Sequence, residues 1–165
     1  MPVFMIGFIA IAAVLRFAAL AVSIRNEKRL KEAGAVEYGA ATSTMLALVH
    51  IAYYLAAIAE GLWRAAPVSA VTVAGVVIYV LSMIALAWVL MTLGRFWTVK
   101  IIIARDHELV TSRFFRMVRH PNYYLNIIPE LIGFGLALQA YGTLIVGLPV
   151  YLVILRLRIR QEEEA

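Results

Sequence analysis

Five apolar segments run through this chain, and each is near the length that a helix needs to cross a membrane. They occupy residues 3–24, 40–62, 68–90, 122–140 and 143–155. At a rise of about 1.5 Å per residue, roughly 20 apolar residues cover the hydrocarbon core of a bilayer. A segment in lipid must satisfy its backbone hydrogen bonds, which favours helices. We therefore predict an all-α, polytopic integral membrane helix bundle with about five transmembrane helices, forming a single membrane domain over residues 1–165.

Composition and charge exclude several classes of protein. Hydrophobic residues make up 64% of the chain and charged residues only 15%. This composition has too few polar residues to cover the surface of a soluble domain. The net charge is +5, and the basic residues flank the apolar segments, where they would meet lipid headgroups. We therefore expect membrane lipids as partners and no nucleic acid. The absence of cysteine excludes disulfides and thiolate metal ligands. No His and carboxylate spacing indicates a metal site.

The distribution of basic residues predicts the orientation of the bundle. Lys and Arg concentrate in residues 25–31, 95–119 and 156–160, which five spans place on one side, whereas the opposite side carries only Arg64. The positive-inside rule assigns the basic side to the cytoplasm, with the active face there, in a bacterial-type inner membrane. We expect three transmembrane helices over residues 1–90, a cytoplasmic connecting segment over 91–121, and a helical hairpin with a tail that forms a ligand site over 122–165.

Two polar sequences on the basic side are candidates for a binding site. The first, Arg119-His120-Pro121-Asn122-Tyr123-Tyr124, precedes the fourth span, and Pro121 suits the first turn of its helix. The positive end of that helix favours an anionic group. The second places Glu162, Glu163 and Glu164 after three tail arginines, and the hairpin returns it to the face of His120. Together they suit a zwitterionic or cationic ligand, although headgroup contacts, aromatic anchors and a solvated helix end also explain these residues.

The chain resembles the isoprenylcysteine carboxyl methyltransferase family of membrane enzymes in these same residues. The resemblance covers roughly residues 109–163 and includes Leu109-Val110-Thr111, Arg116, the Arg-His-Pro-Asn-Tyr element, a hairpin, and Arg158-Ile159-Arg160-Gln161-Glu162-Glu163. It implies S-adenosylmethionine as the methyl donor, bound by the C-terminal helices. The cofactor-binding positions it implies are His120, Pro121, Asn122, Tyr123, Tyr124, Glu162 and Glu163.

The chemistry of methyl transfer suggests which residues act on the acceptor. We expect a lipid-like small-molecule substrate, since a donor held in a helix bundle can meet an acceptor arriving sideways from the membrane. A carboxylate acceptor is already ionised and needs a cation to hold it, whereas a phenol or enol benefits from a base. Candidate catalytic residues are Arg119, Glu130 and Glu163, and His107 and Glu108 are further candidates for a base. Glu130 lies within a span, where it either serves the site or makes a structural hydrogen bond.

Other readings stay open at this point. Membrane sterol and steroid reductases also carry an Arg-His-Pro-Asn-Tyr element and use a nicotinamide cofactor, and a non-enzymatic membrane scaffold has a similar composition. Within the spans, we expect Arg16 to snorkel or to pair in the bundle with Glu60, and His50 to be a hydrogen-bonded bundle residue. Gly133-Phe134-Gly135 has no preceding strand, so it predicts close helix packing and not a dinucleotide loop.

Overall fold

The computed structural model describes residues 3–103 and 120–164, and helices dominate both ranges. In chain order the helices are α1 (Val3–Glu32), α2 (Ala40–Arg64), α3 (Ala70–Leu93), α4 (Ile128–Ala137) and α5 (Leu148–Glu164). A 3₁₀ turn, Gly94–Phe96, extends α3, and π-helical turns Asn122–Ile127 and Thr143–Gly147 lead into α4 and α5. Three helices, Val3–Glu32, Ala40–Arg64 and Ala70–Phe96, are long and apolar enough to cross a membrane. The predicted all-α membrane bundle with a C-terminal helical hairpin is confirmed.

Local sequence signals explain where several helices begin and end. Ser69 and Thr72 form a capping box at the start of α3, each side chain accepting a backbone N–H of the other residue. Ala65 ends α2 in the left-handed conformation and donates its N–H to the Gly61 carbonyl. Pro121 begins the fourth helical segment as predicted, and the His120 carbonyl accepts the amide hydrogens of Tyr123 and Tyr124, at 3.1 and 3.2 Å.

Glycines let α3 and α4 approach each other closely. A Cβ atom on Gly75 of α3 would lie 2.2 Å from the Ala137 nitrogen, and one on Gly133 of α4 would lie 2.6 Å from the Tyr79 nitrogen. A Cβ on Gly135 would meet the side chains of Leu144 and Tyr53. Small residues at such interfaces allow backbone contact where lipid supplies no hydrophobic driving force. The glycines of Gly133-Phe134-Gly135 therefore serve helix packing, as the sequence indicated.

A short antiparallel ribbon, which the sequence did not predict, joins the ends of α1 and α3. Strand β1 (Val36–Tyr38) pairs with β2 (Ile101–Ile103). Strands this short show no measurable alternation in the sequence, and a two-stranded ribbon is marginal alone. Four charged side chains reinforce it: the ion pairs are Lys31–Glu27 at 2.6 Å, Lys31–Glu37 at 2.7 Å, Lys100–Glu27 at 2.8 Å and Lys100–Glu37 at 3.4 Å.

We expect this ribbon to loosen in acid. The hydrogen bond from Lys31 holds the pKa of Glu37 below its ordinary value. The stabilisation it gives is therefore complete above the unfolded pKa of a glutamate, about 4.3, and is lost as the pH falls through the lower folded value. Amide hydrogen exchange in residues 36–38, corrected for the intrinsic rate, should accelerate a few-fold below about pH 4. Glu37→Gln should exchange faster already at pH 7 and lose most of this pH dependence; an unchanged dependence would contradict the assignment.

Candidate functional site

A cavity of about 240 Å³ lies at the end of the bundle where the two polar sequences meet. His120, Pro121, Asn122 and Tyr123 line one side of it, and Glu162 of α5 lies beside them. The remaining wall comes from the end of α3 and the segment that follows, namely Leu93, Phe96, Trp97, Thr98, Lys100, Ile101 and Ile102. We call this the motif cavity. It combines a carboxylate, an imidazole, an ammonium group and aromatic rings in one space.

His120 joins the fourth helical segment to the acidic tail. Its Nδ1 lies 3.3 Å from Oε2 of Glu162, and its Nε2 lies 3.5 Å from Oε1 of Glu163. The imidazole stacks on the ring of Tyr123 with the centroids 5.7 Å apart, and the Tyr123 hydroxyl donates to Oε1 of Glu162. The expectation that the hairpin returns the tail to the face of His120 is therefore met, and His120 and Tyr123 contact the acidic pair directly.

Arg158 of α5 contacts both Tyr123 and Glu162, and the sequence analysis quoted it as part of a motif without assigning it a role. Its side chain is only 2% exposed, although it carries a full charge. Nε donates to the Tyr123 hydroxyl at 3.3 Å and to Oε1 of Glu162 at 3.1 Å. The other two nitrogens donate to the Ser43 hydroxyl of α2 and, at 2.8 Å, to the Val99 carbonyl. The signal available in the sequence was its position four residues before Glu162, the spacing of helical ion pairs.

The second wall of the motif cavity was also missed. The sequence analysis did not assign Phe96, Trp97 or Lys100 to a site. The structure fixes this segment against α1: Nδ2 of Asn26 donates to the carbonyls of Gly94 and Trp97, at 3.0 and 2.8 Å. Residues 93–102, predicted only as part of a connecting segment, therefore complete the cavity that residues 120–123 and Glu162 line on the other side.

The remaining predicted site residues fall into two groups. Tyr124 is 53% exposed and does not line the motif cavity, whereas Glu163 lies at its edge with 48% of the side chain exposed. The other group, Arg119, His107, Glu108, Arg116 and Leu109-Val110-Thr111, lies outside the described residues. In the part of the chain that is described, no group of three or more His, Cys, Asp or Glu residues is arranged to hold a metal ion.

Glu130 lies apart from the motif cavity, in a cluster of polar residues inside the bundle. It is fully buried and receives hydrogen bonds from Nε of Arg16 and from the Tyr54 hydroxyl. His50 Nε2 lies 3.6 Å from Glu130 Oε1. We call Arg16, His50, Tyr54 and Glu130 the midspan cluster. His50 also places Nδ1 3.4 Å from the Tyr151 hydroxyl, which confirms the expected hydrogen-bonded bundle residue.

The predicted pairing of Arg16 with Glu60 is wrong. Arg16 forms its ion pair with Glu130. Glu60 lies near the C-terminal end of α2 and accepts three hydrogen bonds of 2.8 Å from the hairpin turn. Two come from the backbone amides of Gly142 and Thr143, and one comes from the Thr143 hydroxyl. Five apolar segments do not show which helices are neighbours, so hydropathy alone could not distinguish Glu60 from Glu130 as the partner of Arg16.

Comparisons with known proteins identify the family to which the chain is similar. The sequence profile of the isoprenylcysteine carboxyl methyltransferase (ICMT) family matches residues 74–165, more than half of the chain, and this range contains His120, Tyr123, Arg158 and Glu162. An uncharacterized protein of Haemophilus influenzae is 46% identical over 92% of this chain and 88% of its own length. The uncharacterized protein YpbQ of Bacillus subtilis is 35% identical over 95% of this chain and 93% of its own. No solved structure gives a significant match.

Proposed function

Since this chain belongs to the isoprenylcysteine carboxyl methyltransferase family, we propose that it is a membrane O-methyltransferase that uses S-adenosylmethionine. The acceptor in this proposal is a carboxylate or hydroxyl on a hydrophobic, lipid-like molecule. One observation carries the proposal: His120, Tyr123 and Glu162, the positions that match the family's cofactor motif, meet at one cavity although 39 residues separate Tyr123 from Glu162.

The residues of the motif cavity suit the chemical groups of S-adenosylmethionine. That cofactor carries a cationic sulfonium, an ammonium, a carboxylate and an adenine ring. Glu162 offers a carboxylate to a cationic group, while Lys100 and the N-terminus of the helix at Asn122 favour an anionic one. Trp97 lines the cavity and is 3% exposed, and its indole Nε1 is buried without a hydrogen-bond partner among the described residues. A buried donor of this kind suits a ring nitrogen of a bound ligand.

Methyl transfer from a sulfonium is an in-line displacement, so the protein's main task is to hold the two reactants in line. Arg158 contributes by fixing Tyr123 and Glu162 through one nitrogen, which leaves these two side chains little freedom to turn. Ile101 and Ile102 of the ribbon and the end of α3 line the opposite side of the cavity. These residues bind and orient; none of them needs to exchange a proton with the methyl donor.

The surroundings of the cavity support the proposed acceptor and location. Large apolar side chains such as Leu48, Leu55 and Val77 are exposed on the bundle surface, which lipid would cover. A lipid-like acceptor can therefore reach the bundle from within the membrane. The cavity lies at the end that carries Lys31, Lys100 and the tail arginines, and the positive-inside rule therefore supports a cytoplasmic location for it. The membrane in this proposal is a bacterial-type inner membrane.

An acceptor screen tests this proposal. Purified protein in lipid nanodiscs is incubated with S-adenosylmethionine labelled in its methyl group, and with long-chain acids, long-chain phenols and their short-chain analogues. We expect label to enter long-chain compounds and the short-chain analogues to be poor substrates. Methylation of polar acceptors, with no methylation of any long-chain compound, would contradict the assignment of the acceptor class.

A further inference from the structure

The midspan cluster has features that the motif cavity does not use. Arg16 lies on the stripe of α1 that faces the bundle, between the buried residues Ala12 and Ala19. Its partner Glu130 is 0% exposed and lies on the same helical segment as Tyr123, seven residues later. At about 1.5 Å per residue, the cluster is therefore roughly 10 Å deeper in the membrane than the cofactor motif. Tyr123 and Glu130 are both buried, so both side chains face the interior of the bundle.

The cluster is open at one edge. The side chains of Arg16 and His50 are 23% and 17% exposed, while Glu130 beneath them is fully buried. Nε2 of His50 makes no hydrogen bond in the described part of the chain. An exposed edge of a guanidinium at this depth is costly in hydrocarbon, and a polar group of a molecule in the membrane would relieve that cost. The edge is thus suited to a polar head.

We propose that the midspan cluster binds the polar head of the lipid-like acceptor, and that this head is an uncharged hydroxyl and not a carboxylate. The inference rests on the proposed function and narrows its substrate class. Arg16 and Glu130 already neutralise each other, so an added anion would leave a net negative charge inside the bundle, beside the Glu130 carboxylate. A hydroxyl adds no charge and can donate to Glu130 while it accepts from Arg16 or His50.

The cluster is connected to the motif cavity through the aromatic packing between them. The Tyr151 hydroxyl lies 3.4 Å from Nδ1 of His50. The ring of Tyr151 belongs to the same hydrophobic core as Tyr123, together with Tyr53 and Leu131. The midspan cluster and Tyr123 therefore border one continuous core, through which an acceptor first bound near Glu130 can approach the motif cavity. A purely structural ion pair between α1 and α4 is the competing explanation, and it makes no prediction about ligands.

Variants of two adjacent tyrosines of α2 distinguish a ligand site from a purely structural ion pair. The Tyr54 hydroxyl donates to Glu130, whereas the Tyr53 hydroxyl donates to the Leu131 carbonyl at 2.8 Å. Tyr54→Phe and Tyr53→Phe each remove one hydroxyl that donates within the bundle, so they form a matched pair. Only the first touches the midspan cluster.

The experiment measures equilibrium binding of 3-pentadecylphenol to the protein in nanodiscs without any methyl donor. Pentadecylbenzene and hexadecanoate serve as comparators of similar chain length. We expect saturable binding of the phenol, at least tenfold tighter than that of either comparator, and a roughly tenfold loss in Glu130→Gln and Tyr54→Phe but not in Tyr53→Phe. The double variant Arg16→Gln/Glu130→Gln removes both charges together and should lose binding while remaining folded. Hexadecanoate binding as tight as the phenol, or equal losses in the two tyrosine variants, would overturn the proposal.

Binding of S-adenosylhomocysteine to the same variants separates this inference from the proposed function. We expect that product analogue to bind Glu130→Gln as tightly as the unaltered protein, because Glu130 does not line the motif cavity. If the phenol binds at the midspan cluster and S-adenosylhomocysteine binds nowhere, the proposed function fails and the hydroxyl site stands. The reverse result would remove the hydroxyl site and leave the methyltransferase proposal intact.

Discussion

Arg158→Met should lower the free energy of unfolding by about 3–5 kcal/mol and abolish measurable binding of S-adenosylhomocysteine. The methionine fills much of the space of the arginine but donates no hydrogen bond. Glu162, the Ser43 hydroxyl and the Val99 carbonyl would each lose a donor, and Tyr123 would lose the group that orients it. Because Arg158 is 2% exposed, water cannot easily replace it. Thermal unfolding in detergent and calorimetry measure the two effects.

Neighbouring arginines of the same tail supply the control for this prediction. Arg156 and Arg160 are exposed, so Arg156→Met and Arg160→Met should each change stability by less than about 0.5 kcal/mol and leave binding intact. Arg158→Lys keeps the charge but cannot reach all of these partners at once, and it should recover part of the stability while binding stays weak. If Arg158→Met behaved like the two controls, the tail would not be organised around this residue.

Gly75→Val should destabilise the bundle by at least about 3 kcal/mol, the upper part of the range for overpacked cores. The new Cβ would lie 2.2 Å from the Ala137 nitrogen and 2.8 Å from its Cα, and both belong to the backbone of the facing helix. Backbone atoms cannot rotate away as the end of a side chain can, so α3 and α4 would have to separate. That separation would also displace the helical segment that begins at Pro121, and we therefore expect the motif cavity to lose its ligand.

Gly7 is the matched control for Gly75. It too lies in a membrane helix, but a Cβ atom built there meets nothing within 4 Å. Gly7→Val should therefore leave the midpoint of thermal unfolding close to that of the unaltered protein. A comparable loss in both variants would indicate that valine destabilises these helices in general, and that α3 and α4 do not rely on backbone contact.

The parts of the fold that follow from short-range sequence were predictable. The length of the apolar segments identified the helices, Pro121 marked the start of the fourth segment, and Gly133 and Gly135 indicated close packing. The meeting of His120 with Glu162 was also predictable, since a hairpin returns the chain to the side from which it left. These inferences require only hydropathy, backbone chemistry and topology.

The parts that depend on which helices are neighbours were not predictable. Hydropathy does not say which face of α1 meets α4, so the partner of Arg16 was assigned to Glu60 when it is Glu130. The same limit hid Arg158, whose burial arises because Ser43 of α2 and Val99 after α3 converge on it. The ribbon was missed because each of its strands has only three residues.

The central claim is that the motif cavity binds an adenosyl amino acid, and calorimetry with S-adenosylhomocysteine tests it most directly. Detergent-purified protein is titrated alongside His120→Ala and Glu164→Gln, with NADPH as a second ligand. We predict saturable binding of S-adenosylhomocysteine and no binding of NADPH. The affinity for S-adenosylhomocysteine should fall roughly 10- to 100-fold in His120→Ala. It should be unchanged in Glu164→Gln, because the side chain of Glu164 is exposed. Binding of NADPH to the folded protein with none of S-adenosylhomocysteine would contradict the claim and favour a reductase.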